Sequence, residues 1–480
     1  MNEQVTFIDE PELTFGFEQP TTDPRDGLFL FGPLLDRRKP PSMRIGVIGT
    51  LDGLFAYRQW VEKIRGYIPA VGSSRHQFAF PGFEAAFRTE WPAQPVIEVP
   101  IAKESIAKTI RISDRHIAVH DTVTLFANAI KKAVNEEEIG VDLWFVVIPD
   151  DVYLYGRPLS RVPKAERVII QHAMNRRLAR QLQSEPSLFV EDMKSAEVYL
   201  YGVDFHNQLK ARLLSERVTT QIVRESSLYQ PPQGTVGVKL RRLQDPATLA
   251  WNLCTQAFYK ANGRPWKLTR NRDRVCYIGL VFKKTGPNTD DLNACCGAQM
   301  FLDSGEGLVL RGALGPWHSP KSNQFHLSRE AARRLLDNVL KGYTAEHKSL
   351  PKELFIHGQT FFNDEEWAGF ESVVSTETKL VGVRIKRASD TKVFRQGALP
   401  VIRGTSYVVS ESKAYLWTSG FVPELETYPG REVPNPLSVE IVRGQQHTKL
   451  ETVLQDVMSL TKLNFNSCIY ADGLPVTLRF

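Results

Sequence analysis

The chain has 480 residues, enough for two or three domains with sizeable cores. Hydrophobic residues make up 42% and charged residues 24%, the profile of an ordinary soluble globular protein, and a net charge of +6 permits a nucleic-acid groove without demanding one. No apolar run approaches the ~20 residues of a membrane span, no signal-peptide pattern opens the chain, and the five cysteines (Cys254, Cys276, Cys295, Cys296, Cys468) lack paired metal-ligand spacing and read as reduced core thiols of a cytosolic protein.

Residues 1–42 are rich in Pro, Gly and Asp, which predicts an extended arm with one or two short strands. Met43–Thr50 is a buried strand by its apolar density, and apolar residues then recur at helical spacing from Leu54 to Ile68. A strand followed by a helix in this way predicts a doubly wound parallel sheet. Gly46 and Gly49 invite a nucleotide site, but a full G-x-G-x-x-G is missing, and glycines at a tight turn account for them better. Asp121 is the expected cap of a helix with Val123, Phe126, Ile130 and Val134 on one face, and Val141–Ile148 is the strongest strand of the first half. Asp150 and Asp151 follow at its C-terminal end, where open α/β sheets place ligands. Two adjacent carboxylates suit a metal, although a cap or Asx-turn is the commoner use. Ala165–Gln183 is basic and amphipathic, and its Arg176, Arg177 and Arg180 read as a phosphate-contacting face or as a solvated one.

Asp204 reads as the N-cap of a short helix whose apolar side is Leu209, Leu213 and Leu214. His206 and Lys210, spaced i, i+4, lie on one face of its first two turns, where free backbone N–H groups and the helix dipole favour an anion. A β-branched run, Thr219–Val223, carries Gln221 as an odd polar residue. A His, a Lys and an amide near a helix start make a seat for a terminal phosphate, and the plain alternative is a solvated pair. Tyr229–Gly234 reads as a linker. Asp245-Pro246 then begins a helix that closes at Gly263, with Lys260 in its last turn.

The second half predicts strands at Val275–Phe282, Gly297–Leu302 and Leu308–Arg311, the last two joined by a turn at Asp303–Gly307. A helix from Ser328 to Tyr343, a strand Glu353–His357, a short helix capped by Asn363 and a strand Lys379–Ile385 follow. After an all-β insertion comes a last helix, Lys449–Leu460. This is the element order of a ribonuclease H-like fold, which cuts phosphodiesters with carboxylates around two metal ions. One acid normally projects from the first strand, and another follows the fourth. Here Val281 and Gln359 stand at those places, and Asp303 and Glu306 read as turn residues, so a two-metal nuclease is not expected.

These stretches together resemble a short prokaryotic Argonaute, and the resemblance covers nearly the whole chain. It is carried by Asp26-Gly-Leu-Phe-Leu-Phe-Gly-Pro-Leu, Phe205-His-Asn-Gln-Leu-Lys-Ala-Arg-Leu-Leu, Thr220-Gln-Ile-Val-Arg-Glu-Ser and Phe258-Tyr-Lys-Ala-Asn-Gly-Arg-Pro-Trp-Lys-Leu. Ala294-Cys-Cys-Gly-Ala-Gln-Met-Phe-Leu-Asp, Glu432-Val-Pro-Asn-Pro-Leu-Ser-Val-Glu-Ile and Leu460-Thr-Lys-Leu-Asn-Phe-Asn-Ser continue it. The resemblance implies an N-terminal arm (1–42), a Rossmann-like MID domain (43–235) and a ribonuclease H-like PIWI domain (236–480) that is catalytically inactive. MID domains hold a guide's 5′ phosphate with an aromatic or His, a Lys four residues later, then a Gln and a further Lys, and His206, Lys210, Gln221 and Lys260 match that pattern.

The resemblance further implies a cytoplasmic guide-RNA-binding subunit that recognises single-stranded DNA of phages and plasmids. Val281 and Gln359 are then lost catalytic positions, and an active metal-dependent nuclease is the alternative. Its implied partner is an APAZ-containing effector with a TIR or sirtuin-like domain that depletes NAD(P), in a heterodimer that forms a higher oligomer on activation. An Mg²⁺ ion at the guide's 5′ end is the one cofactor implied. Relatives continue beyond the segment that ends here at Phe480, so no role of a C-terminal tail is carried over.

Overall fold

The computed structural model describes residues 4–34, 43–72, 76–136, 140–170, 174–185, 189–229, 244–269, 272, 274–284, 294–302, 307–319, 323–428 and 430–479. The chain forms two compact units: Asp36–Val71 with Ala79–Gly263, and Met1–Leu35 with Gly72–Phe78 and Arg264–Phe480. Among the described residues no helix is long and apolar enough to cross a membrane.

The first unit is built on a parallel four-stranded sheet in the order Ile97–Pro100, Ile45–Gly49, Leu143–Ile148, Thr220–Arg224. Two of these strands read as unbroken apolar runs because helices cover both sheet faces, and every residue of Ile45–Gly49 and Leu143–Ile148 is buried. Gly46 and Gly49 are explained by that packing. A Cβ on Gly46 would stand 2.9 Å from the Trp144 ring, and one on Gly49 would stand 2.7 Å from the Val147 carbonyl oxygen.

Several boundaries differ from expectation, each for a local reason. The first helix runs Leu51–Arg65 because Thr50 caps it directly at the strand end, accepting from the Gly53 amide at 3.0 Å. The long helix runs Arg115–Glu136, so Asp121 lies inside it. Its cap is Asp114, which accepts from His116 and Ile117, and the buried face extends back to Ile117 and Ala118. The basic stretch is a short turn at Lys164–Glu166 and a helix Arg176–Ser184 capped by Asn175, not one helix. Arg176 and Arg177 are exposed there, and the Arg180 side chain lies outside the described residues. Asp150 and Asp151 open a helix, Asp150–Tyr155, and each is held by a guanidinium, Arg224 at 2.6 Å and Arg111 respectively.

The domain boundary also moves. The helix Pro246–Lys260, expected in the second domain, belongs to the first unit. Its apolar side carries large aromatics that find partners there: Trp251 lies edge-on to Phe80 at 5.0 Å and Phe258 lies 5.1 Å from Phe87. The left-handed residue at its end is Asn262 (φ 64), and the Gly263 amide donates back to the Phe258 carbonyl at 2.8 Å. The expected linker after Tyr229 lies outside the described residues.

The second unit is organised by a nine-stranded sheet. Its core has the ribonuclease H order: Gly307–Gly315, Ala294–Leu302 and Val275–Lys284 run antiparallel, and Glu353–Gly358 and Lys379–Arg387 follow in parallel. Helices Arg329–His347 and Asp364–Glu371 pack Leu336, Val339, Tyr343, Trp367 and Phe370 against Cys276, Ile278, Leu354 and Ile356 of the sheet. Asn363 caps the second helix as the sequence predicts, and Ser328, expected to begin the first, is its cap. The turn carrying Asp303 and Glu306 lies outside the described residues.

The predicted arm is part of this unit rather than a separate extension. Val5–Phe7 adds an edge strand by pairing with Thr405–Ser410, and an unforeseen helix, Pro24–Phe31, starts at the Asp23 cap with proline in its first turn. Buried ion pairs fix the arm. Glu10 accepts from Arg403 at 2.8 Å and forms an ion pair with Lys462 at 2.6 Å, while Asp23 holds Arg25 at 2.6 Å. Lys462 also donates to the Thr22 carbonyl at 2.9 Å and lies 3.7 Å from the Tyr470 ring centroid. Burial would raise the Glu10 carboxyl, but Arg403 and Lys462 outweigh it and hold it low. Burial pushes Lys462 down to about 8, against the pull of Glu10.

Candidate nucleic-acid interface

Helix Phe205–Leu213 begins at Asp204, whose carboxylate accepts from the Asn207 amide at 2.8 Å. Phe205, Leu209 and Leu213 are buried and fix the helix against the sheet-covering core around Phe126. Leu214, expected on that apolar side, is 54% exposed because the helix has already ended. The opposite side presents His206 and Lys210.

Strand Thr220–Arg224 supplies Gln221, buried and paired in register with Phe145. Lys260, the last residue of its helix, donates to Gln221 Oε1 at 2.7 Å and to the Thr220 carbonyl at 3.0 Å. An ammonium group only donates, so this contact assigns the amide: Oε1 faces Lys260 and the Nε2 group is turned away. Nε2 makes one long contact, 3.4 Å to the Ile222 carbonyl, and keeps donor capacity.

The fold therefore gathers all four predicted residues, although their segments are far apart in the chain. The electrostatics are those of an anion seat. Burial pushes Lys260 down to about 7, and Lys210 pushes the same way. Partial desolvation also lowers Lys210. His206 is lowered by desolvation and then by Lys210; Asn207 and Asp204 pull the other way, and Lys260 adds the smallest push downward. His206 and Lys210 keep exposed tips, so solvent moderates those two shifts. Among the described residues neither lysine has a carboxylate partner. Mutual repulsion without a counter-ion is relieved by an anion that accepts from all three groups. A divalent cation fits this donor set poorly: Asp204 is spent on the cap and Gln221 Oε1 on Lys260.

Beside His206 opens a cavity of about 420 Å³, lined among others by Ile222, Arg224, Ser227 and Leu253. Tyr153 stands in its wall, with the guanidinium carbons of Arg157 and Arg224 at 3.5 and 3.9 Å from its ring centroid. Two groups that close to one centroid must lie on opposite faces. Sequence reading passed over Tyr153 and Arg157, since nothing in their spacing links them to Arg224.

In the second unit, the last register pair between the central parallel strands is His357 with Gly279. Gln359 follows the end of its strand at Gly358, and Val281 lies two residues beyond Gly279 in the neighbouring parallel strand, so the two expected catalytic positions lie toward the same end of the sheet. Val281 is half-buried and Gln359 exposed. His357, beneath them, is fully buried and pushed down to about 3 by desolvation, and its Nδ1 meets the Thr477 hydroxyl at 2.9 Å. A Cβ on Gly279 would stand 1.9 Å from the Thr477 carbonyl oxygen, so only glycine admits this close approach of the C-terminal turn. Among the described residues no group of three or more His, Cys, Asp or Glu is gathered as a metal site.

No protein-family model matches the chain, and no curated protein matches it in sequence. Solved structures do. Clostridium butyricum Argonaute bound to a guide DNA and a 19-mer target DNA superposes with a TM-score of 0.60 over 98% of this chain and 51% of that one, at 14% identity. Drosophila Piwi gives 0.56 at 12% identity, and A. aeolicus Argonaute 0.52 at 14%, with the same 98% coverage of this chain. The fold is that of the Argonaute MID and PIWI domains. The chain spans about half the length of these Argonaute and Piwi proteins, with 51%, 52% and 51% of them covered. In this Argonaute-like fold the first unit corresponds to a Rossmann-like MID domain and the second to a ribonuclease H-like PIWI domain.

Proposed function

We propose that this chain binds a guide strand by its 5′ phosphate and uses it to recognise complementary single-stranded DNA without cutting it. The observation that carries the reading is the convergence of His206, Lys210 and Lys260 around Gln221 with no carboxylate partner for either lysine among the described residues. A terminal phosphate carries nearly two charges and accepts several charge-assisted hydrogen bonds, which is what this donor set lacks. The cavity beside His206, with Tyr153 and its two arginines, takes the terminal nucleotide.

Target recognition without cleavage is supported by Val281 and Gln359. Valine offers no ligand, and a neutral amide oxygen is a poor substitute for carboxylate on a hard cation. The guide is an RNA, and the family resemblance supplies the rest of the reading. The chain is a cytoplasmic defence subunit whose guide–target duplex favours the active conformation of an APAZ-containing partner, and that partner's TIR or sirtuin-like domain depletes NAD(P).

The test compares binding of 5′-phosphorylated and 5′-hydroxyl guides to wild type and to His206→Ala with Lys210→Ala. Two charged contacts at ~1.5–3 kcal/mol each predict at least a roughly tenfold loss of phosphate preference in the variant. Equal binding of both guides by wild type would sink the assignment. Incubation of the loaded protein with labelled target and Mg²⁺ or Mn²⁺ leaves the target intact. Cleavage opposite a fixed guide position, lost on mutating Asp303 or Glu306, would replace the inert reading with that of an active nuclease while leaving the phosphate site in place.

A further inference from the structure

The PIWI-like unit carries a strongly one-signed stretch that the sequence reading did not single out. From Lys379 to Arg395 the chain has six cationic residues (Lys379, Arg384, Lys386, Arg387, Lys392, Arg395) and one carboxylate, Asp390. Its first part is the strand Lys379–Arg387, in which Arg384 and Lys386 point to the same face. The Arg384 guanidinium lies 4.0 Å over the ring of Phe361, which is 42% exposed, and its Nε reaches the Gln359 carbonyl at 3.4 Å. Glu440 offsets Arg384 only loosely, at 3.6 Å.

The strand then gives way to an exposed loop that includes Lys392-Val-Phe394-Arg395. Phe394 is 77% exposed, and Gly397 follows with φ 103, a conformation that glycine adopts without strain. Scattered exposed apolar residues are common and need no explanation alone. Here, however, an exposed aromatic stands between two cations in sequence. At the other end of the same stretch a second exposed aromatic already carries a guanidinium on its face. Aromatic faces for bases beside cations for phosphates are what single-stranded nucleic acid requires of a surface.

We propose that Phe394, flanked by Lys392 and Arg395, stacks on an unpaired nucleobase, and that Arg384 and Lys386 with the Phe361 face continue this contact along a single strand of nucleic acid. The proposal adds to the guide-binding reading a second contact surface, and it rests on that reading only for the class of ligand. Charge favours a polyanion over a protein partner: Lys379 pairs with Glu353 at 3.9 Å and Arg384 with Glu440 at 3.6 Å, but among the described residues Lys386, Arg387, Lys392 and Arg395 form no ion pair.

The experiment measures affinity of single-stranded oligonucleotides, from roughly 4 to roughly 16 nucleotides, for wild type, Phe394→Ala, Phe394→Trp and Lys392→Ala with Arg395→Ala. Losing one base–aromatic stack should weaken binding of the longer strands by roughly 5- to 150-fold in Phe394→Ala. Phe394→Trp should restore it. The double charge variant should flatten the salt dependence by roughly 0.7 for each phosphate it no longer neutralises. All three sites are exposed, so thermal melting should be unchanged and serves as the folding control. Phe394→Ala that binds long strands as wild type does, or a charge variant with an unaltered salt slope, overturns the proposal. If wild type shows no preference for a 5′ phosphate while Phe394→Ala still weakens long-strand binding, the guide-end assignment fails and the stacking surface stands.

Discussion

Lys260 in the MID-like unit and Lys462 in the PIWI-like unit both lose hydration to burial, to about 7 and about 8, but their surroundings differ. Lys462 has Glu10 at 2.6 Å, a carbonyl at 2.9 Å and the Tyr470 ring beneath it. Lys260 has an amide oxygen and a carbonyl, and beyond them the like charge of Lys210. A structural lysine brings its counter-ion with it, and breaking that pair strands a charge. A lysine surrounded by neutral acceptors and like charges is stable only at the expense of its proton, until an anion arrives from outside. The contrast separates a closed ion pair from an open cluster of donors on physical grounds alone.

The largest effect should come from breaking the closed ion pair. Lys462→Met leaves Glu10 with Arg403 alone and should cost about 3–5 kcal/mol, read by urea unfolding at neutral pH. Lys260→Met, tested without guide, should hold or raise the melting temperature. Between about pH 7 and the unfolded-chain value of roughly 10.4, the unfolded chain binds the extra proton, so wild-type stability rises with pH in that window. Lys260→Met should reduce that rise to the part that Lys462 and Lys210, both also lowered, contribute. A destabilisation by Lys260→Met as large as that by Lys462→Met would erase the distinction.

A second effect follows from the same shift. A phosphate raises the pKa of Lys260, so binding takes up a proton, and affinity for a 5′-phosphorylated guide should fall as pH climbs above about 7. The fall should approach roughly tenfold per pH unit if one proton is taken up. Lys260→Arg, which stays charged, should flatten it. Calorimetry in buffers of different ionisation enthalpy measures the uptake directly, and a pH-independent affinity in wild type would contradict the unpaired-cation account.

The smallest effect is on salt dependence. Guide affinity should weaken steeply with salt, and Lys260→Ala should reduce the log–log slope by roughly one unit or less. A slope near zero in the intact protein would mean that His206, Lys210 and Lys260 are surface charge with no phosphate beside them.

Much of the site was legible in the chain. The i, i+4 spacing of His206 and Lys210 with the Asp204 cap fixes two donors on one helix face, because helix periodicity is a local property. Strand and helix order revealed both halves of the fold, since buried strands advertise themselves by apolar density and capped helices by their first residue. Local chemistry misled where a nearby residue served as well: Asp121 has the side chain of a cap, but Asp114 lies where the buried face begins.

Sequence by itself determined which elements form and which residue types are available to bind. Only the tertiary structure decided that the helix ending in Lys260 packs in the MID-like unit, because the Trp251 and Phe258 rings need aromatic partners that lie far away in sequence. It alone placed the Lys260 ammonium on Gln221 Oε1, bringing four polar groups from three segments to one point. It alone assigned Glu10, in a stretch that reads as an arm, to neutralise Arg403 and Lys462. The reason is common to all three: whether a buried charge is satisfied depends on what long-range packing sets beside it. Periodicity and propensity act over a few residues and hold no record of that neighbour.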